Sequence, residues 1–235
     1  YKTLLFINVL SKLKQKIAVT FQGADIQIQK NIGYGYRLKK KYNRLFIKTI
    51  KKIDICFAIS ENIKKELLLL NIDKKKIFKV PNAVDIKKIR KIKHQKNNRL
   101  TILTIGRYAE KKKGFDLIER VSKYLIKVID FQWIIIGRNT NQLNLKNFYI
   151  KNKKNFLIID EIKNDESYTF PNKKLLKFYK KSHVYANMAR IESFGITLIE
   201  AMASYLPVLS FKTKGGLDLI KNNKNGCLVD NNKFR

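Results

Sequence analysis

Cysteine and histidine are scarce in this sequence, which limits the chemistry that it can support. The 235 residues include two cysteines, Cys56 and Cys227, which lie far apart and each inside an apolar run. They have no metal-ligand spacing, and we expect reduced, buried thiols as in a cytosolic protein. Neither histidine has a serine, cysteine or acidic partner in a recognisable motif. We therefore predict that His94 lies in a linker and His183 at a strand edge, without a metal or triad role.

Long apolar runs are also missing. The longest runs, such as Trp133–Ile136, have the length of a strand and fall well short of the roughly 18 apolar residues of a membrane-spanning helix. The start of the chain shows no secretory signal pattern. We expect a cytoplasmic protein, with at most a peripheral place on the inner face of the membrane.

Acidic residues are few, because 18 of them face 51 lysines and arginines and leave a net charge of +33. Lysine is spread along the whole chain beside abundant asparagine and isoleucine, three residue types that share A/T-rich codons. Two interpretations stay open: biased genome composition, or attraction to anionic lipid or phosphate-bearing substrates. Nucleic-acid binding is not expected, because the aromatic residues are scattered and lysine greatly exceeds arginine.

Short apolar runs alternate with amphipathic stretches, which favours an α/β fold with parallel sheets covered on both faces. The predicted strands are Ile17–Thr20, Asp54–Ser60, Ile77–Val80, Leu100–Ile105, Gln132–Gly137, Phe156–Ile159, His183–Met188, Pro207–Phe211 and Cys227–Val229. The predicted helices are Tyr42–Lys52, Glu61–Leu70 with Ser60 as N-cap, Phe115–Lys127, Lys173–Lys181, Gly195–Ser204 and Gly216–Asn222.

The segment Pro81–Asn98 is the best candidate for a domain boundary, because it opens with a turn-forming pair and continues as a lysine-rich stretch with little core material. We place one domain at residues 1–84 and a second at residues 85–235. The first has too few strand–helix units for a complete sheet, and the second lacks a closing helix. We therefore expect a fragment that holds the tail of one α/β domain and most of another.

The strongest local signal is the stretch from Glu192 to Glu200, ESFGITLIE, between a strand and a helix. Residues Ser193, Phe194 and Gly195 would form the turn into the helix, where amides without intrahelical partners favour an anion. Glu200 has apolar neighbours, so its burial demands hydrogen-bond partners. Ribose hydroxyls would serve, and a helix-packing role with a nearby lysine is the alternative.

Two further signals follow predicted strands. Gly106-Arg107 comes directly after Leu100–Ile105 and precedes a lysine run that ends at Lys113-Gly114. Basic side chains at the carboxyl end of a parallel strand can neutralise a diphosphate, although a solvated charge run is the commoner meaning. The pair Gly215-Gly216 would let backbone approach a sugar, or it is an ordinary turn.

In this order the motifs resemble the family 4 glycosyltransferases, which have a two-domain fold of Rossmann-like sheets. The matching stretches are VPNAVD (80–85), GRYAEKKKGFDLI (106–118), ESFGITLIEAM (192–202) and GGLDLIKNNKNGCLVD (215–230). The combination of Glu-x7-Glu with the upstream Gly-Arg…Lys-Gly element is specific. The usual Pro-Ser before the first glutamate is replaced by Met188-Ala189-Arg190, and Arg190 would face either the site or solvent.

The resemblance implies a retaining, hexosyltransferase-type enzyme that uses a nucleotide-sugar donor without a metal or other cofactor. It implies that Arg107 and Lys113 hold the donor diphosphate beside Gly106, and that Glu200 binds the ribose. Glu192 would act beside the transferred sugar, as nucleophile or as stabiliser. Gln22 occupies a position where the family often has a histidine near the sugar, and it cannot exchange a proton near pH 7.

The implied acceptor is a saccharide or a lipid-linked acceptor, as in the synthesis of cell-surface polysaccharide or glycolipid. Other enzymes of the same fold remain alternatives: a nucleotide-sugar epimerase, or a glucan synthase or phosphorylase. From other classes, the alternatives are a basic nucleic-acid-binding protein and a fragment that only binds a partner.

Overall fold

The computed structural model describes residues 2–13, 15–163 and 172–230. The chain divides into two compact units, residues 1–82 and residues 83–235. The boundary predicted from the sequence, between residues 84 and 85, is two positions further along the chain.

The first unit contains a parallel sheet in the order β1-β2-β3. Its elements are α1 (Lys2–Leu10), β1 (Ala18–Phe21), α2 (Lys40–Ile50), β2 (Ile55–Ala58), α3 (Glu61–Leu69) and β3 (Ile77–Lys79). The predicted N-cap is confirmed, because Oγ of Ser60 accepts a hydrogen bond of 3.3 Å from the amide of Ile63. Cys56 is fully buried in β2, as predicted.

The second unit contains six parallel strands in the order β6-β5-β4-β7-β8-β9, so the predicted α/β fold with parallel sheets is confirmed. The strands are β4 (Leu100–Ile105), β5 (Phe131–Ile136), β6 (Phe156–Ile159), β7 (Val184–Asn187), β8 (Val208–Phe211) and β9 (Cys227–Val229). The helices are α4 (Ile86–Lys91), α5 (Glu110–Lys113), α6 (Phe115–Leu125), α7 (Asn147–Lys151), α8 (Lys173–Lys181), α9 (Ile196–Ala203) and α10 (Lys214–Leu219).

The strand order of the second sheet reverses between β4 and β7. From β4 the chain builds outward through β5 and β6, and it then returns to the other side of β4 to add β7, β8 and β9. The loops that follow β4 and β7 therefore begin on neighbouring strands. In open parallel sheets, ligands bind beyond the carboxyl ends of the strands at such a reversal.

Two sequence-based expectations are wrong. The segment Pro81–Asn98 contributes to the core, because α4 lies within it and Ile89 is fully buried in the same apolar cluster as Leu103 and Tyr185. In the sequence of α4, the abundant basic residues obscure a pattern of one apolar residue per helical turn. Cys227 is exposed rather than buried, because it opens the short edge strand β9.

His183 stands at a strand edge, as predicted. His183 directly precedes β7, and its Nδ1 accepts a hydrogen bond of 3.0 Å from the amide of Thr101, the second residue of β4. None of the helices in the described ranges is both long enough and apolar enough to cross a membrane.

Candidate functional site

The loops that follow β4 and β7 bring two oppositely charged side chains together. Nζ of Lys113, at the end of α5, lies 2.9 Å from Oε2 of Glu192, which precedes α9. Both side chains are mostly shielded, with 23% and 16% of their surface exposed. The stem of Lys113 passes Gly106, where an added Cβ would lie 3.8 Å from Cδ of the lysine. Three residues predicted from two separate motifs therefore lie together.

The two loops are fastened to each other by contacts that the sequence motifs did not predict. Gly114 has φ +72°, and a Cβ at this position would lie 1.8 Å from the carbonyl oxygen of Met188. The guanidinium of Arg190 binds both carboxylate oxygens of Asp116 at 2.7 Å, and its backbone amide donates to the carbonyl of Lys112 at 3.0 Å. Arg190 therefore holds the β7 loop against α5 and α6, which settles the role that the sequence left open.

A glycine lies at the start of α9. Gly195 has φ +102°, and a Cβ there would lie 2.6 Å from Cδ1 of Leu198. Glu192 is tied from behind by the amide of Gly215, which donates to its carbonyl at 2.8 Å. A Cβ on Gly215 would meet the backbone of Phe194 at 2.7 Å. Both glycines are needed where residues 192–198 meet the start of α10.

Ser193 and Phe194 are buried, with 7% and 5% exposed. The turn that they form leads directly into α9, which begins at Ile196 as predicted to within one residue. The first amides of a helix point away from its body along the positive end of its dipole. This end of α9 is positioned next to the Lys113–Glu192 pair.

Glu200 is almost fully buried in α9, with 2% exposed. The hydroxyl of Tyr179 on α8 donates a hydrogen bond of 2.6 Å to Oε2 of Glu200. Burial raises the pKa of Glu200 to about 6, and the Tyr179 hydrogen bond offsets part of that rise. The alternative of a lysine partner is wrong, because the residue that satisfies Glu200 is a tyrosine. Nothing in the spacing of the α8 sequence could have identified Tyr179.

Positive charge is concentrated around the Lys113–Glu192 pair. The pKa of Lys112 is lowered to about 8, mainly by burial and also by the charges of Lys113 and Arg107, while Glu192 acts in the opposite sense. Arg107 itself is exposed on the loop after β4. One carboxylate among three cations leaves an excess of positive potential at the reversal of the sheet. The sequence gives no signal that distinguishes Lys112 from its neighbours, because it stands in a run of three lysines.

Gln22 belongs to the first unit and follows β1 directly. Its side chain is exposed, and its backbone amide donates to Oδ2 of Asp25 at 3.1 Å. The second carboxylate oxygen of Asp25 accepts from the amide of Gly23 at 2.7 Å. The predicted role of Gln22 near a donor sugar stays a prediction. In the described ranges, histidine, cysteine and acidic side chains form no group of three or more that could hold a metal ion.

A basic site at the strand reversal of an open parallel sheet, beside the start of a helix, is the arrangement in which many nucleotide-binding α/β proteins hold their ligands. The model of one family, the glycosyl transferases group 1, matches residues 85–234. This match covers more than half of the chain, and the chain belongs to that family. The resemblance drawn from the sequence motifs is thereby confirmed.

Individual relatives agree with the family. An uncharacterised glycosyltransferase of Haemophilus influenzae is 30% identical over 167 residues, which are 67% of this chain and 44% of that protein. The capsular polysaccharide biosynthesis glycosyltransferase CapM of Staphylococcus aureus is 22% identical over 194 residues, 76% of this chain and 48% of CapM. The chain thus spans less than half the length of either relative.

Solved structures share the fold. HepE of Anabaena, crystallised in complex with UDP and glucose, matches with a TM-score of 0.73 at 14% identity, over 97% of this chain and 62% of HepE. The lipopolysaccharide outer core galactosyltransferase WaaB matches with a TM-score of 0.62 at 18% identity, over 96% of this chain and 64% of WaaB. The predicted fold of two Rossmann-like parallel sheets is that of these glycosyltransferases.

Proposed function

We propose that this chain is the donor-binding part of a retaining, hexosyltransferase-type glycosyltransferase that uses a nucleotide-sugar. The observation that carries the proposal is the Lys113–Glu192 pair, 2.9 Å apart beside the start of α9 at the sheet reversal. Such a place suits a diphosphate on one side and a sugar on the other. Residues 85–235 would hold the donor, and residues 1–84 would lie on the acceptor side.

The groups that would bind the diphosphate are the side chains of Arg107 and Lys113 and the amides of the 193–195 turn. Charge that develops on the leaving diphosphate is stabilised by cations and helix dipole already in place, which is why the proposal requires no metal. Lys112, beside this group, adds a third positive charge whose lowered pKa fits a site that awaits an anion.

The two glutamates take different parts of the donor. Glu200, with one oxygen held by Tyr179, offers hydrogen-bond acceptors to the ribose hydroxyls. Glu192 acts beside the sugar, where positive charge develops on the ring as the bond to the diphosphate breaks. It serves there as nucleophile or as electrostatic stabiliser.

The acceptor is proposed to be a saccharide or a lipid-linked hydroxyl used for cell-surface polysaccharide or glycolipid. Support comes from the name of CapM, a capsular polysaccharide enzyme, and from the lipopolysaccharide enzyme WaaB. A peripheral place on the cytoplasmic face of the membrane would bring such an acceptor to the basic chain. UDP-sugars are the first donors to test, because HepE was crystallised with UDP and glucose.

A panel of UDP-, GDP- and ADP-sugars tests the proposal. Thermal unfolding in the presence of EDTA identifies the base, and mass spectrometry of the donor follows its fate. We expect one nucleotide to stabilise the chain, and the intact parent enzyme to release that nucleoside diphosphate only with an acceptor. Donor epimerised without acceptor would assign the chain to the epimerases of the same fold instead. A panel in which no nucleotide stabilises the chain would overturn the proposal.

A further inference from the structure

A second concentration of positive charge lies at the opposite end of the second sheet. A pocket of about 930 Å³ opens beside the first residues of β4 and the last turn of α8. Seven of its twelve lining residues are lysine or arginine, and none is acidic. β4 has six residues that each rise about 3.3 Å, so roughly 17–20 Å separate this pocket from Gly106 at the other end of the strand. The pocket is therefore distinct from the candidate donor site.

One of these seven charges is already neutralised. The guanidinium of Arg99 makes a forked contact with the carboxylate of Asp130, with Nε 2.9 Å from both oxygens. The other six are lysines, and among the described residues no ion pair joins any of them to a carboxylate. The pocket thus carries an excess of positive charge that the surrounding chain does not balance.

Lys180 is the exceptional member of the group, because only 1% of it is exposed. Its Nζ lies 3.1 Å from Nε2 of His94 and 5.5 Å from the centre of the Tyr205 ring. Burial lowers the pKa of Lys180, and the charges of Lys96 and Arg90 lower it further. A buried ammonium group is costly unless a counter-charge accompanies it. Here the groups that surround it are cationic or neutral.

The wall of the pocket is fixed by hydrogen bonds. The amide of Asn97 donates to the carbonyl of Lys181 at 3.1 Å, and its side chain donates to Oγ1 of Thr101 at 3.0 Å. Nζ of Lys96 donates to the carbonyl of Ser182. These bonds hold the segment before β4 against the end of α8, so Lys96 and Lys180 are presented together.

The negative end of the α8 dipole explains only part of the cluster. Lysines in a last turn stabilise the terminal carbonyls, and Lys181 does so while it packs over the ring of Phe178 at 4.3 Å. A solvated lysine provides the same interaction without the cost of burial. The dipole therefore accounts for Lys181 and leaves the burial of Lys180 unexplained.

We propose that this pocket is a binding site for a phosphate-bearing anion, which supplies the counter-charge of Lys180 and is contacted by Lys96 and the exposed Lys177. Several ammonium groups around one concave space suit a compact ligand with one or two phosphate groups. That chemistry belongs equally to a free phosphate compound and to a lipid headgroup. The proposal does not depend on the function assigned to the donor site.

Pyrophosphate is the probe, added to the whole chain at constant ionic strength with UDP present to occupy the donor site. The chain has two histidines, so NMR can follow both rings, with His94→Gln to assign them. We expect pyrophosphate to raise the pKa of His94, because the anion offsets the charges of Lys180 and Lys96, and to leave His183 unchanged. An unchanged His94 at saturating pyrophosphate would overturn the proposal.

Two variants test the lysines themselves. Lys180→Met keeps the length of the side chain without its charge, and it should raise the melting temperature in phosphate-free buffer while weakening pyrophosphate binding about tenfold or more. Lys177→Gln lies on the exposed rim and gives a second, milder loss should the buried variant fold poorly. Exposed Lys151 on α7 supplies the matched control, Lys151→Gln, which should leave binding unchanged. An equal loss of pyrophosphate affinity in all three variants would overturn the proposal, because it would show that net charge alone attracts the anion.

The source of the phosphate is decided by competition. Vesicles of phosphatidylcholine with phosphatidic acid should displace pyrophosphate, and do so less in Lys177→Gln, if the ligand is a lipid headgroup. Phosphatidylcholine vesicles alone are the control. Binding of pyrophosphate without competition from either vesicle supports the site and assigns it to a free phosphate compound.

Discussion

The Nζ atom of Lys113 lies 2.9 Å from Oε2 of Glu192, so the cation proposed for the phosphate is held by the carboxylate proposed for the sugar. A donor diphosphate would compete with Glu192 for Lys113. Its arrival would leave the carboxylate free to face the sugar ring. Lys113 would thereby link the charge of the bound diphosphate to the charge of Glu192.

The first prediction concerns the cations. A nucleoside diphosphate at about 100 times its dissociation constant should stabilise the chain by roughly 2.7 kcal/mol without added metal. Arg107→Ala should reduce that gain much more than Lys39→Ala, which removes an exposed charge in a lysine run of the first unit. Thermal unfolding with and without EDTA measures both effects. A gain that EDTA abolishes would contradict the metal-free site.

The second prediction follows from the pKa of Lys112, which burial lowers to about 8. A bound diphosphate favours the charged form, so nucleotide affinity should be level below about pH 8 and fall above it, by at most tenfold per pH unit. Calorimetric titration between about pH 7 and pH 10 records the profile. Lys112→Arg should flatten it, because the guanidinium stays charged throughout. A wild-type affinity that does not change with pH over this range would show that Lys112 does not contribute to nucleotide binding.

The strands were predictable because each is a short, mainly apolar run. β4, β6 and β9 begin and end at the residues expected from the sequence. The short helices were missed for an opposite reason. α5 is four residues long and reads EKKK, with no apolar face to recognise. Its position depends on contacts with a loop more than 70 residues away, where Gly114 lies against Met188 and the carbonyl of Lys112 accepts from the amide of Arg190.

The site was predictable where motifs stand directly after strands, as Gly106 and the 192–200 stretch do. Partners supplied by other elements were not predictable. Tyr179 shares the buried face of α8 with Leu176, so the sequence indicates a core residue, and only the folded chain shows that its hydroxyl reaches Glu200. Arg190 likewise could be assigned only when Asp116 was found beside it.

The third prediction concerns the basic surface of residues 1–98, which comprise the first unit and the start of the second. Residues 1–98 carry 25 basic and 6 acidic side chains. On α1 the apolar side chains of Phe6 and Val9 are exposed at helical spacing. If this charge serves function, the chain should co-sediment with anionic liposomes and be released by salt, at about 1 kcal/mol per lysine near the surface. Equal binding to neutral liposomes, or to none, would leave codon bias as a sufficient explanation.

The fourth prediction uses the buried Glu200. Its pKa of about 6 in the folded chain exceeds the ordinary 4.5, so its burial favours the protonated form. The burial of Glu200 therefore costs no free energy of unfolding below about pH 4. As the pH rises through 6, the free energy of unfolding falls by about 2 kcal/mol because the buried carboxyl must ionise. Glu200→Gln, which stays neutral and can still accept from Tyr179, should be more stable than the wild type near pH 7.5 by about that amount. Denaturant unfolding at both pH values measures the difference, which should vanish near pH 4.

The same substitution should weaken binding of the donor. A role of Glu200 in holding the ribose is present before and during reaction, so Glu200→Gln should mainly raise KM for the donor while kcat changes little. A variant that is more stable at neutral pH and binds donor less well would show that the buried charge is kept for the ligand. Unchanged donor affinity in this variant would remove Glu200 from the donor site.

The last prediction separates Glu192 from Glu200 by kinetics in the intact parent enzyme. Glu192→Gln removes the negative charge proposed to act on the developing positive charge of the sugar ring, so kcat should fall by about 100-fold or more. Because Lys113 is then released from its ion pair, nucleoside diphosphate affinity should stay the same or increase. Single-turnover rates and calorimetry with the nucleotide measure the two quantities independently. Near-normal turnover in Glu192→Gln, or a loss of nucleotide affinity as large as the loss of rate, would show that Glu192 serves the structure of the loop and does not act on the sugar.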